Sequence, residues 1–186
     1  MKIDCVLKDC PLHGHEIVPP KGNEKAKIII IGESPGHVEV KRGEPFIGRA
    51  GQLLRSHVKK AGLDWDSLFI TNSAKCLIDK AGMDSKAIAD TLRCCRKYLE
   101  YTISNISPKA VIICGDIALW QVLGKKGITK MRGIWTWSSE FNCWTMPTFH
   151  PAYILRNRTL ESLFAGDISA VAEFAKDGYI LEESCY

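Results

Sequence analysis

No apolar stretch in the 186 residues approaches the ~20 that a bilayer-crossing helix needs. The opening residues, MKIDCVLKDCPLHGHE, lack the apolar centre of an export signal. An intracellular, cytoplasmic protein is therefore expected. Internal repeats and low-complexity tracts are missing too, which excludes a solenoid. Neither sign of charge dominates: Lys plus Arg is 25 and Asp plus Glu is 21, a net charge of +4. That mild excess is compatible with a nucleic-acid partner without requiring one. Hydrophobic content of 46% and charged content of 25% are ordinary, and exclude a disordered, collagen-like or coiled-coil chain. The length fits one domain with its own core, residues 1–186, carrying an N-terminal cysteine-containing segment over 1–25.

What the chain does have is cysteine. Eight occur, at positions 5, 10, 76, 94, 95, 114, 143 and 185. Grouped cysteines without an export signal point to metal rather than to a disulfide scaffold. Cys114 ends the run Val111-Ile112-Ile113 and reads as a small core residue. Cys143 and Cys185 read as lone thiols. Cys5, Cys10, Cys76 and the Cys94-Cys95 pair are left as the informative set.

Three short apolar runs read as strands: Ala26–Ile31, Leu68–Thr71 and Ala110–Cys114. Residues 134–137 and 143–146 are candidates for two more. Helical spacing appears over 49–61, 116–123 and 160–176, the last with Leu160, Leu163, Phe164, Ile168, Val171 and Phe174 as its apolar face. The strongest helix is 86–106, where Ile88, Leu92, Cys95, Leu99 and Ile106 fall on one stripe. Residues 32–48 and 147–151 read as loops. Strands alternating with helices predict an α/β fold with a parallel sheet.

In an open parallel sheet, loops at the carboxyl ends of strands converge on one crevice. Gly32-Glu33-Ser34-Pro35-Gly36, Thr71–Cys76 and Thr148–Tyr153 each follow a predicted strand, so Glu33, Asn72 and His150 are expected to share a pocket. The segments GESPG, GEPFIGRAGQLL, TNSAKC, CRKYLE, SPKAVIICGDIAL and TFHPAYILR, in that order, resemble the family-4 uracil-DNA glycosylases, the iron–sulfur members of their superfamily. The resemblance runs from Cys5 to about Arg156.

It implies a three-layer α/β/α sandwich around a central four-stranded parallel sheet, and a monomer acting on uracil-containing DNA. It also implies a [4Fe–4S] cluster on Cys5, Cys10, Cys76 and Cys95, with Cys95 preferred to Cys94 because Cys95-Arg96-Lys97-Tyr98-Leu99 fits the family's pattern. The first two cysteines have four residues between them and the second two have eighteen, both wider than in the family. Longer loops still close, because closure entropy grows slowly with length. Zinc, which also accepts four thiolates, and plain packing are the alternatives.

Phe46 corresponds to the ring that stacks on the extruded base, and Asn72 to the carboxamide that reads its edge. Ser34 and Gly36 of the first loop are further substrate contacts. Glu39 corresponds to a residue near the uracil C5 edge. His150 is the donor for the departing base, and Glu33 the nearest acid for the attacking water, because Ser34 stands where the superfamily's best-known branch has an aspartate. Ile154 or Leu155 would wedge into DNA and Arg156 would meet a phosphate; burial in the core is the other reading of this stretch. A non-catalytic iron–sulfur DNA-binding relative, or a glycosylase for another deaminated base such as hypoxanthine, are the rival functions. Downstream base-excision repair proteins are conceivable partners.

Overall fold

The computed structural model describes residues 8–178. Cys5 and Cys185 fall outside that range. Six strands form one sheet: β1 (Lys21–Gly22), β2 (Ile28–Gly32), β3 (Phe69–Asn72), β4 (Ala110–Cys114), β5 (Thr136–Ser138) and β6 (Cys143–Thr148). Their order across the sheet is β1-β3-β2-β4-β6-β5. The inner four run parallel, and β1 and β5 pair antiparallel at the two edges. The sheet is therefore mixed and six-stranded, not a purely parallel sheet of four. The expected parallel core is present inside it.

The difference has local causes. Lys21–Gly22 lies in the N-terminal segment 1–25, where no strand is expected, yet it adds an edge by pairing with Phe69 and Ile70. The second edge is the β5–β6 hairpin. Two residues of β1 carry too little pattern to show in the sequence.

Seven helices are described: α1 (His37–Arg42), α2 (Arg49–Lys60), α3 (Ser85–Ile106), α4 (Asp116–Leu123), α5 (Ile128–Met131), α6 (Pro151–Arg156) and α7 (Glu161–Lys176). α3 begins where the Asp84 side chain accepts the Ala87 N–H. It ends at Ser107, which turns left-handed. α1 is a single short helix within the expected 32–48 loop, bounded by Gly36 and a left-handed Gly43. α6 starts on Pro151, where a missing N–H costs nothing, so the expected 147–151 loop is in fact the junction between a strand and a helix. Of the apolar face expected for α7, Phe164, Ile168, Val171 and Phe174 are buried, while Leu163 points to solvent and Leu160 belongs to the preceding turn.

β2, β3 and β4 are buried along their whole length, as expected of a sheet covered on both faces. The main core joins their isoleucines to Leu54 and Val58 of α2, Leu99 and Ile103 of α3, Leu119 of α4 and Phe164 of α7. β2 has β3 on one side and β4 on the other, so the chain steps out from β2 to β3 and then crosses back past β2 to β4. That switch point opens a crevice at the carboxyl ends of the strands.

Asp167 of α7 locks one wall of the crevice. It is 2% exposed and accepts from Arg132 Nε at 2.9 Å, from Arg132 Nη2, and from the Thr148 hydroxyl at 2.6 Å. The pair thus fixes the last residue of β6. Breaking a buried pair strands a charge and costs about 3–5 kcal/mol. Asp167→Ala is expected to lower the unfolding free energy by about 3 kcal/mol in urea titration, and a loss below about 1 kcal/mol would show that Thr148 and Arg132 do not depend on it.

Candidate active site

A cavity of about 340 Å³ lies at the switch point, within the range of small-molecule sites (~300–1,000 Å³). Glu33, Ser34, Gly36, Glu39, Phe46, Asn72, His150 and Arg156 all line it. The carboxyl ends of β2 and β3 are in register, Gly32 opposite Asn72, which brings two of the three predicted loops side by side. The third enters after β6.

Gly32 decides how tightly the walls close. A Cβ there would stand 2.4 Å from Asn72 Oδ1 and 2.5 Å from the Phe46 ring. Both side chains therefore occupy space that any other residue would fill. Phe46 holds a left-handed backbone, φ 55°, uncommon for an aromatic residue. Its own carbonyl lies where a Cβ of Gly51 would be, at 1.8 Å, so α2 presses directly against the loop. From the other side the Glu39 carboxylate accepts the Gly48 N–H at 2.8 Å. Glu39 lines the cavity, and its carboxylate also braces the loop that carries Phe46.

His150 is the N-cap of α6. Its Nδ1 accepts the Ala152 N–H at 3.2 Å, so the neutral ring carries its proton on Nε2. Burial first, then the positive charges of Lys80 and Arg156, hold the imidazole down to about 4. At neutral pH it is an uncharged donor. The Phe46 ring stacks near it, with centroids 6.2 Å apart and planes 30° from parallel.

Glu33 pairs with Lys80, Oε1 to Nζ at 2.7 Å, and its main-chain carbonyl accepts the Ala74 N–H at 2.9 Å. Lys80 lines the cavity and went unnoticed in the sequence, where it sits in a connection without periodicity. Only its distance of four residues from Cys76 could have drawn attention to it.

The 153–156 stretch divides by helical phase. Ile154 is 0% exposed and packs in the main core, so it is not a wedge. In α6, Pro151 and Ile154 turn inward together, whereas Tyr153 and Arg156 face out and Leu155 is half-buried.

Cys10, Cys76 and Cys95 meet in a second, smaller apolar cluster with Leu12, Ala74, Ile78 and Leu92. Cys95 is buried and Cys94 only packs at its edge. Among the described residues no three His, Cys, Asp or Glu side chains stand close enough to form a complete metal site. Cys10, Cys76 and Cys95 come from segments far apart in sequence, and thiols are the donor type that iron–sulfur clusters and zinc take. Cys114 and Cys143 are core residues whose thiols burial pushes up to about 12.

Comparison with known proteins gives a consistent set of relatives. The family described as the Uracil DNA glycosylase superfamily matches residues 19–170. The type-4 uracil-DNA glycosylase of Thermotoga maritima is 35% identical over 176 residues, covering 90% of this chain and 88% of that protein. That of Sulfurisphaera tokodaii is 35% identical over 167 residues, covering 85% and 74%. That of Archaeoglobus fulgidus is 28% identical over 177 residues, covering 89% and 86%.

The neutral imidazole has a direct test. In a pH titration followed by imidazole ¹H–¹⁵N correlation, His150 is expected to stay uncharged until about pH 4. Lys80→Met removes one of the two opposing cations, so the midpoint should move upward while staying depressed by burial. A wild-type midpoint near 6.5, the ordinary value, would contradict the buried, cation-flanked setting.

Proposed function

The chain belongs to the uracil DNA glycosylase superfamily, and from that premise we infer that its cavity takes uracil flipped out of DNA and hydrolyses the N-glycosidic bond, leaving an abasic site. The observation that carries this reading is the convergence of Phe46, Asn72 and His150 on one cavity, two of them crossing over Gly32.

Extruding a base costs a few kcal/mol of unstacking. Stacking on an aromatic face returns roughly 1–3 kcal/mol per base. Phe46, held rigidly by Gly51 and by the braced loop, is the platform for that contact. The Asn72 carboxamide accepts from uracil N3–H and donates to O4. Cytosine presents the reverse pattern and leaves both amide groups mismatched, which is costly in a closed site. Glu39 is assigned to the C5 edge, where a methyl group would have to displace a carboxylate already bound to Gly48. Ser34 and Gly36 complete the first loop around the base.

As the glycosidic bond breaks, the sugar gains oxocarbenium character and the base becomes an anion. His150 Nε2–H, fixed by the bond from Ala152 to Nδ1, is the donor for uracil O2. A preorganised donor of this kind is worth on the order of 10²–10³ in rate. Glu33 is the residue proposed to orient the attacking water, with Lys80 holding the carboxylate at the cavity wall. Little proton transfer is needed in so dissociative a reaction, which fits Ser34 in place of a stronger base. Arg156, at the rim, is placed to meet a phosphate, and Leu155, rather than the buried Ile154, is the remaining candidate for the wedge.

Cys10, Cys76 and Cys95, with Cys5, are the thiolates proposed for a [4Fe–4S] cluster. The chemistry such a cluster supplies at this place is a cross-link among segments distant in sequence.

Incubating the protein with an oligonucleotide carrying one deoxyuridine, then treating with alkali, should cleave the strand at that position. His150→Ala is expected to slow excision by ~10²–10³ at unchanged fold. Binding without cleavage, or cleavage at hypoxanthine and none at uracil, would reverse the reading.

A further inference from the structure

Lys75 is the most unusual charged residue in the molecule. It is 2% exposed, whereas lysine is almost never fully buried unless paired. Its Nζ donates to the Thr71 hydroxyl at 2.6 Å and to the main-chain carbonyl of Asn72 at 2.6 Å. Both acceptors are neutral, and both belong to the last two residues of β3. In the other direction the Lys75 carbonyl accepts the Val18 N–H at 2.8 Å, and the next residue is Cys76 of the cysteine-lined cluster. Lys75 thus ties the end of β3, by its side chain, to the segment that enters the cysteine-lined cluster, by its main chain.

A buried donor with two short bonds to the end of a strand does not need to be there for packing. A leucine or methionine would fill the space without the desolvation penalty. What a methionine cannot do is pin the Asn72 carbonyl. The peptide plane carrying that carbonyl is part of the Asn72 backbone, and the carboxamide has only two side-chain torsions between it and the cavity. Gly32 and Phe46 already confine it on one side. The bond from Lys75 fixes the main-chain carbonyl of the residue that carries it.

We propose that Lys75 is a positioning residue for base recognition: its two bonds lock the end of β3 so that the Asn72 carboxamide meets the uracil edge in one orientation. This rests on the assignment of Asn72 as the reader. Misplacing a recognition group by about 1 Å costs on the order of 10²-fold in rate.

The test compares Lys75→Met, Lys75→Arg and Asn72→Ala with wild type on the single-deoxyuridine strand, using protein whose iron content and melting temperature are measured. Lys75→Met is expected to lower kcat by on the order of 10²-fold. Its KM should stay near that of wild type. Lys75→Arg, which restores a charged donor, should recover part of the loss. In the Asn72→Ala background Lys75→Met should add almost nothing, because the two act as a unit. Should Lys75→Met fail to fold, Thr71→Val removes one of the two acceptors while keeping the strand's shape, and should lower kcat several-fold in the same non-additive way. Folded Lys75→Met with wild-type kcat, an equal loss in the Asn72→Ala background, or a silent Thr71→Val would overturn the assignment. Wild-type protein that cleaves nothing at uracil would instead overturn the functional reading beneath it, so the two failures are distinguishable.

Discussion

A single missing Cβ, at Gly32, sets the geometry on which the rest of the site depends. The end of β2 is the switch point of the sheet, and two side chains from different loops cross it within 2.4–2.5 Å of where that atom would be. Any side chain there would push out either the Phe46 ring or the Asn72 amide. Glycine is usually argued for its backbone freedom; here the requirement is space. The same constraint recurs at Gly51, where the Phe46 carbonyl occupies the Cβ position. The aromatic loop is therefore seated between two glycines, one in a strand and one in a helix. Its left-handed Phe46 is held by neighbours rather than by its own preference.

Around that crossing the polar groups are committed to bracing. Glu39 spends its carboxylate on Gly48, Glu33 on Lys80 and Asp167 on Arg132 and Thr148. His150 gives Nδ1 to the backbone of α6 and keeps Nε2 for the cavity. Each bond removes one alternative orientation before any ligand arrives, so the ordering entropy is met during folding rather than at the moment of reaction. The second apolar cluster extends this logic away from the cavity. It gathers Cys10, Cys76 and Cys95 behind the end of β3 and so secures the residues that lead out of Asn72.

Much of this was legible in the chain itself, and the exceptions follow a physical pattern. The isoleucine run of β2, the stripe of α3 and the alternation of strands with helices carry periodicity over many residues, so the parallel core was readable. Lys21–Gly22 and His37–Arg42 are too short to carry a period, and their pairing or capping is set by neighbours. At the site, Phe46, Asn72 and His150 were found through the order of their motifs, and the cavity brings them together. Ile154 was misplaced because wedge and core are both apolar; only the helical phase that begins at Pro151 separates them. Lys75 and Lys80 escaped notice because a lysine in a sequence reads as solvent-facing, and nothing local reveals that one is buried and the other paired across a cavity.

The electrostatics of the cavity also bear on the role proposed for an uncharged imidazole. Two influences keep a proton off His150: burial, which opposes charge of either sign, and the cations Lys80 and Arg156, which oppose positive charge alone. When the charge to be accommodated is negative, these influences part company. Burial still resists it, but the two cations now attract it. The carboxylates of Glu33 and Glu39 line the same cavity, so the pull of Lys80 and Arg156 on a negative charge beside His150 is offset in part by these two acids. An imidazolium would add one more positive charge, at the expense of bringing it into the same buried space. The arrangement instead keeps the formal charges at the rim, on Lys80 and Arg156, and leaves the directed hydrogen bond to the neutral ring. On the roles proposed for these residues, departure of the base would be assisted from the leaving-group side, and the demand on Glu33 and Ser34 at the sugar would fall accordingly.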